Sequence, residues 1–291
     1  MKRPILAVLT AMRVEAGALI EQLGSARESK PIGLLSFDGL LGDNRVIVVI
    51  TEMGKVSAAL ASQYVCDHLR PQYLLSAGLA GGLSPLAVPG TIIVANAALQ
   101  HDYDARPIAS HATVVPHLGM SRIPADEGLS AQLKRSGLES TADAGHLSII
   151  DGLVVSGDRI VRSTAERDRI KAAHWDALCV DMESAAVSQV AYQNQVPWGG
   201  LRIVSDGADE KFDASNVIDY ARRTASEIIA SVVTHSVAAL GDGSHRGDDL
   251  DMDSASICKS ANGPAGRPRT ASSKQQYPWS SVWYQDTGFL S

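Results

Sequence analysis

Short runs that are apolar on both sides of the chain alternate with helical patterns, and this alternation limits the fold more than any other feature. The runs are Pro4–Thr10 (PILAVLT), Arg45–Thr51 (RVIVVIT), Tyr73–Ala77 (YLLSA), Thr91–Ala97 (TIIVANA), 148–155 (SIIDGLVV), Ala177–Asp181 (ALCVD) and Gly199–Ser205 (GGLRIVS). Between them, helical spacing predicts helices at 13–23, from Met53–Lys55 through about Leu69, and at 162–173, 184–194 and 214–239. A strand without a polar face must be covered on both sides. The expected fold class is therefore α/β, a three-layer αβα sandwich around a largely parallel or mixed central sheet. The segment GLAGGLSPLAVPG, between the third and fourth runs, reads as a loop.

The chain has 291 residues, 45% of them hydrophobic and 20% charged, ample for one large core. That core is expected to occupy residues 1–239. From about Leu240 the sequence turns rich in Gly, Ser, Asp and Pro without a period, so 240–291 is expected to be a disordered tail. Its aromatics, Tyr277, Trp279, Trp283, Tyr284 and Phe289, leave room for a partner-binding peptide, but an appendage outside the chemistry is the simpler reading. A net charge of −6 argues against a nucleic-acid partner. Cys66, Cys179 and Cys258 are too few and too scattered for a disulfide framework or a zinc site, which points to a reducing, cytoplasmic setting. No uninterrupted apolar run reaches the roughly 20 residues of a membrane span. The N-terminal apolar run is broken by Arg13 and Glu15 and reads as a buried strand rather than a leader.

In open α/β sheets, ligands bind beyond the carboxyl ends of the strands. Three acids fall there: Glu15 after the first run, Glu183 after ALCVD, and Asp206 after GGLRIVS. Each has a plainer explanation. Glu15 and Glu183, like Asp181, could be acids of a first helical turn, and Asp206 a turn residue in Ser-Asp-Gly. Three such coincidences are harder to set aside. Glycines at 78–82 would let a backbone approach a ligand closely, Gly81 among them. The HDYD stretch at 101–104 offers His and Asp but no further ligand at metal spacing, so neither a metal nor any other cofactor is expected, and a polar interface loop is the better reading.

An ordered set of motifs carries a resemblance: AMRVEA at 11–16, EMGKVSAAL at 52–60, AGLAGGL at 77–83, PGTIIVANAALQHDYD at 89–104, GLVVSGDRIV at 152–161, VDMESAAV at 180–187 and LRIVSDGAD at 201–209. Over residues 4–235 the chain resembles the nucleoside phosphorylase superfamily, and within it the bacterial 5′-methylthioadenosine/S-adenosylhomocysteine nucleosidases of methionine salvage. The resemblance implies a cofactor-free hydrolase that releases adenine from a 5′-substituted nucleoside, with water as co-substrate. It implies that Glu15 activates the water, that Asp206, held by Ser205, serves N7 of the purine, and that Glu183 binds the ribose hydroxyls. Met12 and Met182 would line the sugar, and the backbone at Ile160 and Val161 would address the purine edge. It further implies a homodimer, with 101–125 as the interface candidate.

Whether Asp206 holds the proton itself or passes one from water stays open. Phosphorylases of this superfamily hold phosphate with arginines. Here the 77–83 stretch has no basic residue, Leu79 stands where many relatives carry a small polar one, Arg13 should point away from Glu15, and Arg202 should pair with a buried acid. Ile160 replaces a common aromatic, with Phe212 the candidate to compensate. The rival readings are a phosphate-dependent phosphorylase, a hydrolase of another modified nucleoside, and a nucleoside-binding protein without turnover.

Overall fold

Neighbouring β-strands share both faces of one large sheet in a computed structural model that describes residues 3–141 and 148–241. The first half runs β1 (Leu6–Thr10), α1 (Arg13–Gln22), β2 (Gly24–Ser29), β3 (Leu35–Leu41), β4 (Asn44–Ile50), α2 (Lys55–Tyr64), β5 (Tyr73–Gly82) and β6 (Ile92–Gln100). Then follow β7 (Ile123–Pro124), α3 (Glu127–Thr141), β8 (Ile149–Ser156), α4 (Thr164–Ala173), β9 (Ala177–Asp181), α5 (Ser184–Gln193), β10 (Trp198–Asp206), α6 (Ala214–Tyr220) and α7 (Ser226–Gly241). The expected disordered tail lies outside the described residues from 242 onward.

The strands run in the order β10-β6-β8-β9-β5-β1-β4-β3-β2, with β7 at the side of β6. β1 pairs in parallel with β4 and β5, while β3 pairs antiparallel with β2 and β4, so the sheet is mixed. β10 pairs with β6 and also, in parallel, with β5. That second pairing closes β5, β10, β6, β8 and β9 on themselves, a curl that alternation alone does not reveal.

The two-faced strands divide the core as their period of two demands. Leu6 and Val8 of β1 join Leu19 of α1 and Ile229 and Val233 of α7 on one face. Ala7 and Leu9 join Ala58 and Ala61 of α2 and Ala186 and Val187 of α5 on the other. Small residues on α2 and α5 bring their backbones close to the sheet.

Three departures from the sequence reading stand out. First, the glycine segment after Ala77 is strand, because β5 continues to Gly82 with partners on both sides. Second, β2, β3, β7 and α3 are missing from the sequence reading, β2 and α3 because they carry few apolar residues. All six residues of β2 are exposed, and the buried face of α3 includes Gln132 and Ser136 beside Leu129 and Leu133. Third, α6 and α7 join through a π-type turn at Ala221–Ala225 into one helix, Ala214–Gly241, of 28 residues, within which an 18-residue stretch has a mean hydropathy of 1.2. By length and composition it could cross a membrane, which a search for uninterrupted apolar runs overlooks because polar residues punctuate it. Here Ile229, Val232, Val233 and Val237 are fully buried against the sheet.

Candidate active site

β1, β5, β9 and β10 end side by side, and their ends surround a cavity of about 240 Å³. All three acids nominated from the sequence line it, and so do Met12, Gly81, Ile160, Val161, Met182 and Ser205. β5 is the element that brings them together. Its Gly81 pairs with Asp206 of β10 on one side and Val180 of β9 on the other, and Gly78 lies beneath Glu15.

Glu15 sits in the first turn of α1 and is 2% exposed. Its Oε2 accepts the Met12 backbone N–H at 2.8 Å, the reciprocal bond of a helix start, and its Oε1 accepts the Leu79 N–H at 2.9 Å. A Cβ on residue 78 would lie 2.7 Å from Glu15 Oε1, so the site needs glycine there. Burial raises the Glu15 pKa, against which the Leu79 and Met12 N–H groups and the charge of Arg202 work. Arg13 is exposed and its guanidinium lies 5.5 Å from the Phe37 ring, away from Glu15.

Glu183 stands at the start of α5 without capping it. Its Oε1 instead accepts the Gly54 N–H at 2.9 Å, a contact across 129 positions of sequence. Burial and the neighbouring charge of Asp181 push Glu183 up to about 8, with Arg202 and the Gly54 N–H pulling down and Glu15 adding a smaller upward push. Asp181 takes the helix-start role: its Oδ2 accepts the Ser184 N–H at 3.1 Å and Arg202 Nε at 2.7 Å. Arg202, 1% exposed, also donates to Ser76 Oγ at 2.6 Å and to the Leu201 carbonyl. One buried cation thus serves a fan of carboxylates, and its fork is occupied.

Asp206 closes the far side. Ser205 Oγ donates to its Oδ2 at 2.7 Å, and the Ala208 N–H to its Oδ1 at 2.8 Å. Both bonds hold the carboxylate at the cavity edge rather than in bulk water. Val161 is buried, whereas Ile160 is 48% exposed at the mouth.

Sequence reasoning missed Met53, Arg159, Val217 and Ile218, which also line the cavity with Phe212. The apolar members have no chemical signature; only packing makes them a wall. The Arg159 side chain is 78% exposed and reaches Glu166 at 3.9 Å. Among the described residues, no cluster of three or more His, Cys, Asp or Glu side chains is placed to hold a metal ion. The HDYD stretch lies apart from the cavity floor, with Asp102 joined to Lys55 and Asp104 to Arg106.

Comparisons with known proteins find relatives over most of the chain. The 5′-methylthioadenosine/S-adenosylhomocysteine nucleosidase of Staphylococcus carnosus is 28% identical over 231 residues, 79% of this chain and 99% of that protein. The crystal structure of the Neisseria meningitidis enzyme of the same name, in complex with methylthio-immucillin-A, superposes with a TM-score of 0.74 at 28% identity, covering 80% of this chain and 98% of that one. Futalosine hydrolase of Helicobacter pylori superposes with a TM-score of 0.72 at 26% identity, covering 81% and 98%. The sequence pattern of the Phosphorylase superfamily runs over residues 5–238, and the chain belongs to that family.

Proposed function

We propose that this protein is an N-glycosyl hydrolase that releases adenine from 5′-methylthioadenosine, S-adenosylhomocysteine or a related 5′-substituted adenine nucleoside. The observation that carries this reading is the convergence of Glu15, Glu183 and Asp206 on one cavity, behind which the buried cation Arg202 is already engaged by Asp181 and Ser76.

Breaking the bond between ribose and purine leaves positive charge on the sugar and negative charge on the base. A carboxylate about 4 Å from the developing cation is worth about 4 kcal/mol at an effective dielectric of about 20. Glu183, held by Gly54, is the group for this and for the ribose hydroxyls, with Met12 and Met182 against the sugar. Asp206, braced by Ser205 and Ala208, serves proton delivery to N7, which makes the base a neutral leaving group and typically contributes about 10²–10⁴-fold. Glu15 orients and deprotonates the water. Its two backbone N–H donors hold the carboxylate at a fixed angle, and Leu79 keeps that side of the cavity apolar. The backbone at Ile160 and Val161 reads the purine edge, and Gly81 lets the β5 backbone approach the substrate.

Hydrolysis is favoured over phosphorolysis because a phosphate near Glu15 would face carboxylates. Arg159, the cation of the cavity lining, points largely into solvent. We further propose a cytoplasmic homodimer with 101–125 at its interface. Support comes from apolar side chains left on the outside, Ile108 at 72% exposure within that segment and Val56 at 81% on α2. Sedimentation velocity should give twice the chain mass, and a monomer at micromolar concentration would remove this part.

The direct test incubates the protein with methylthioadenosine, adenosylhomocysteine, futalosine, adenosine and inosine in phosphate-free buffer and measures free base. Adenine release unaffected by added phosphate is expected. Release that requires phosphate or arsenate would make the protein a phosphorylase, and binding without release would make it a nucleoside-binding protein.

A further inference from the structure

Lys55, Asp102 and Asp158 lie outside the cavity lining, yet they join the two loops that frame it. Lys55 Nζ donates to Asp102 Oδ1 at 2.6 Å and to Gln100 Oε1 at 3.1 Å, and it lies 3.8 Å from Asp158 Oδ2. Its side chain is 15% exposed, so these are its surroundings rather than a passing surface contact. The backbone repeats the connection: the Lys55 N–H donates to Asp158 Oδ1 at 2.7 Å, and the Asp158 N–H donates to Asp102 Oδ2 at 2.9 Å.

Each end of this ring touches the site through the next residue. Gly54 precedes Lys55 and donates its N–H to Glu183. It has φ +99°, and a Cβ there would lie 3.2 Å from Asp158 Oδ1, so the carboxylate of Asp158 packs directly on the turn that holds Glu183. Asp158 in turn precedes Arg159, Ile160 and Val161 of the cavity wall.

We infer that Lys55, Asp102 and Asp158 form a positioning clamp that presents the Gly54 N–H to Glu183 and fixes the sugar end of the site relative to its purine end. The inference rests on the hydrolase reading. Glu183 feels, from the elements packed around it, the charges of Asp181, Arg202 and Glu15, besides its own burial and the Gly54 N–H. Lys55 is not among the largest of those charges, so a change at the clamp reaches Glu183 chiefly through Gly54. The donor favours the ionised carboxylate; its loss raises the Glu183 pKa further.

The experiment compares Asp158→Asn, Lys55→Met and Lys55→Arg with the parent, measuring kcat and KM for methylthioadenosine over pH 5–10 together with melting temperature. Asp158→Asn is the safer variant, since that side chain is 49% exposed. Expected are a drop of roughly 10-fold or more in kcat/KM for Asp158→Asn and Lys55→Met, an acid limb displaced to higher pH, and substantial recovery in Lys55→Arg. A readout independent of turnover is the fall in melting temperature between pH 7 and 9. It should be steeper in Asp158→Asn than in the parent, and the difference should vanish in a Glu183→Gln background. Unchanged kinetics, or a lower rate with the acid limb and the stability profile unmoved, would overturn the clamp. A parent that releases no base would overturn the hydrolase reading instead, while the stability profiles would still judge the clamp.

Discussion

Glu183 is surrounded by groups that oppose its charge and groups that favour it, and that balance has consequences in two measurements. In the free protein it titrates near 8, so kcat/KM should fall as pH drops through about 8 if the ionised form stabilises the sugar cation. Glu183→Gln should lower kcat by about 10²–10³-fold and leave the fold intact. The stability effect has a definite sign. The folded-state pKa lies above the ordinary value of 4.5, so the native state holds a proton that the unfolded chain has released. Stability is therefore full below about 4.5 and declines as pH rises toward 8. Thermal melts of the parent should show this decline, and Glu183→Gln should flatten it. Asp206→Asn should lower kcat by about 10²–10⁴-fold with little change in the melt, because that carboxylate is only partly buried. These acids were legible in the sequence because a carboxylate at the end of an apolar strand is conspicuous. Their partners were not: the Gly54 contact spans 129 positions, and nothing local announces that Asp181, rather than Glu183, receives Arg202.

At the scale of elements, the glycine-bearing end of β5 matters most. A strand with Gly at 78, 81 and 82 gains no side-chain packing there, and its composition imitates a turn. Here the missing side chains make room for Glu15 above Gly78, for Ala208 and Asp206 beside Gly81, and for the Ala87 carbonyl, which would meet a Cβ on residue 82 at 2.1 Å. Gly78→Ala should displace Glu15 and lower kcat by about 10²-fold, with the KM for substrate changing far less. Equal loss of adenine binding in the same variant would speak against so local an effect. Strands apolar on both faces and most helices with an apolar face were legible, but β3, which buries Phe37 and Leu41, was not read. β2, exposed throughout, and α3, with Gln132 and Ser136 buried beside Leu129 and Leu133, offer few apolar residues to read. Their places are set by pairing and packing with distant segments.

For the molecule as a whole, apolar alternation predicted a largely parallel or mixed, doubly covered sheet, whereas the closure of β10 onto β5 depends on a strand pairing that sequence order does not encode. The helix Ala214–Gly241 ties this sheet to the site. Ile229 is fully buried on its α7 half, so Ile229→Ala should reduce unfolding free energy by about 2–5 kcal/mol in urea while leaving kcat/KM nearly unchanged at moderate temperature. The two halves of that helix are unequal. α7 buries seven residues and α6 none, although Ala214, Val217 and Ile218 of α6 form part of the cavity wall. Local opening is cheapest where few apolar contacts are lost. Warming should therefore fray the α6 end back toward the π-type turn while the rest still holds. Substrate affinity would fade reversibly below the melting midpoint, and an occupied site would postpone the loss. The enzyme's working ceiling is thus set by the seven residues of α6 rather than by the sheet beneath them.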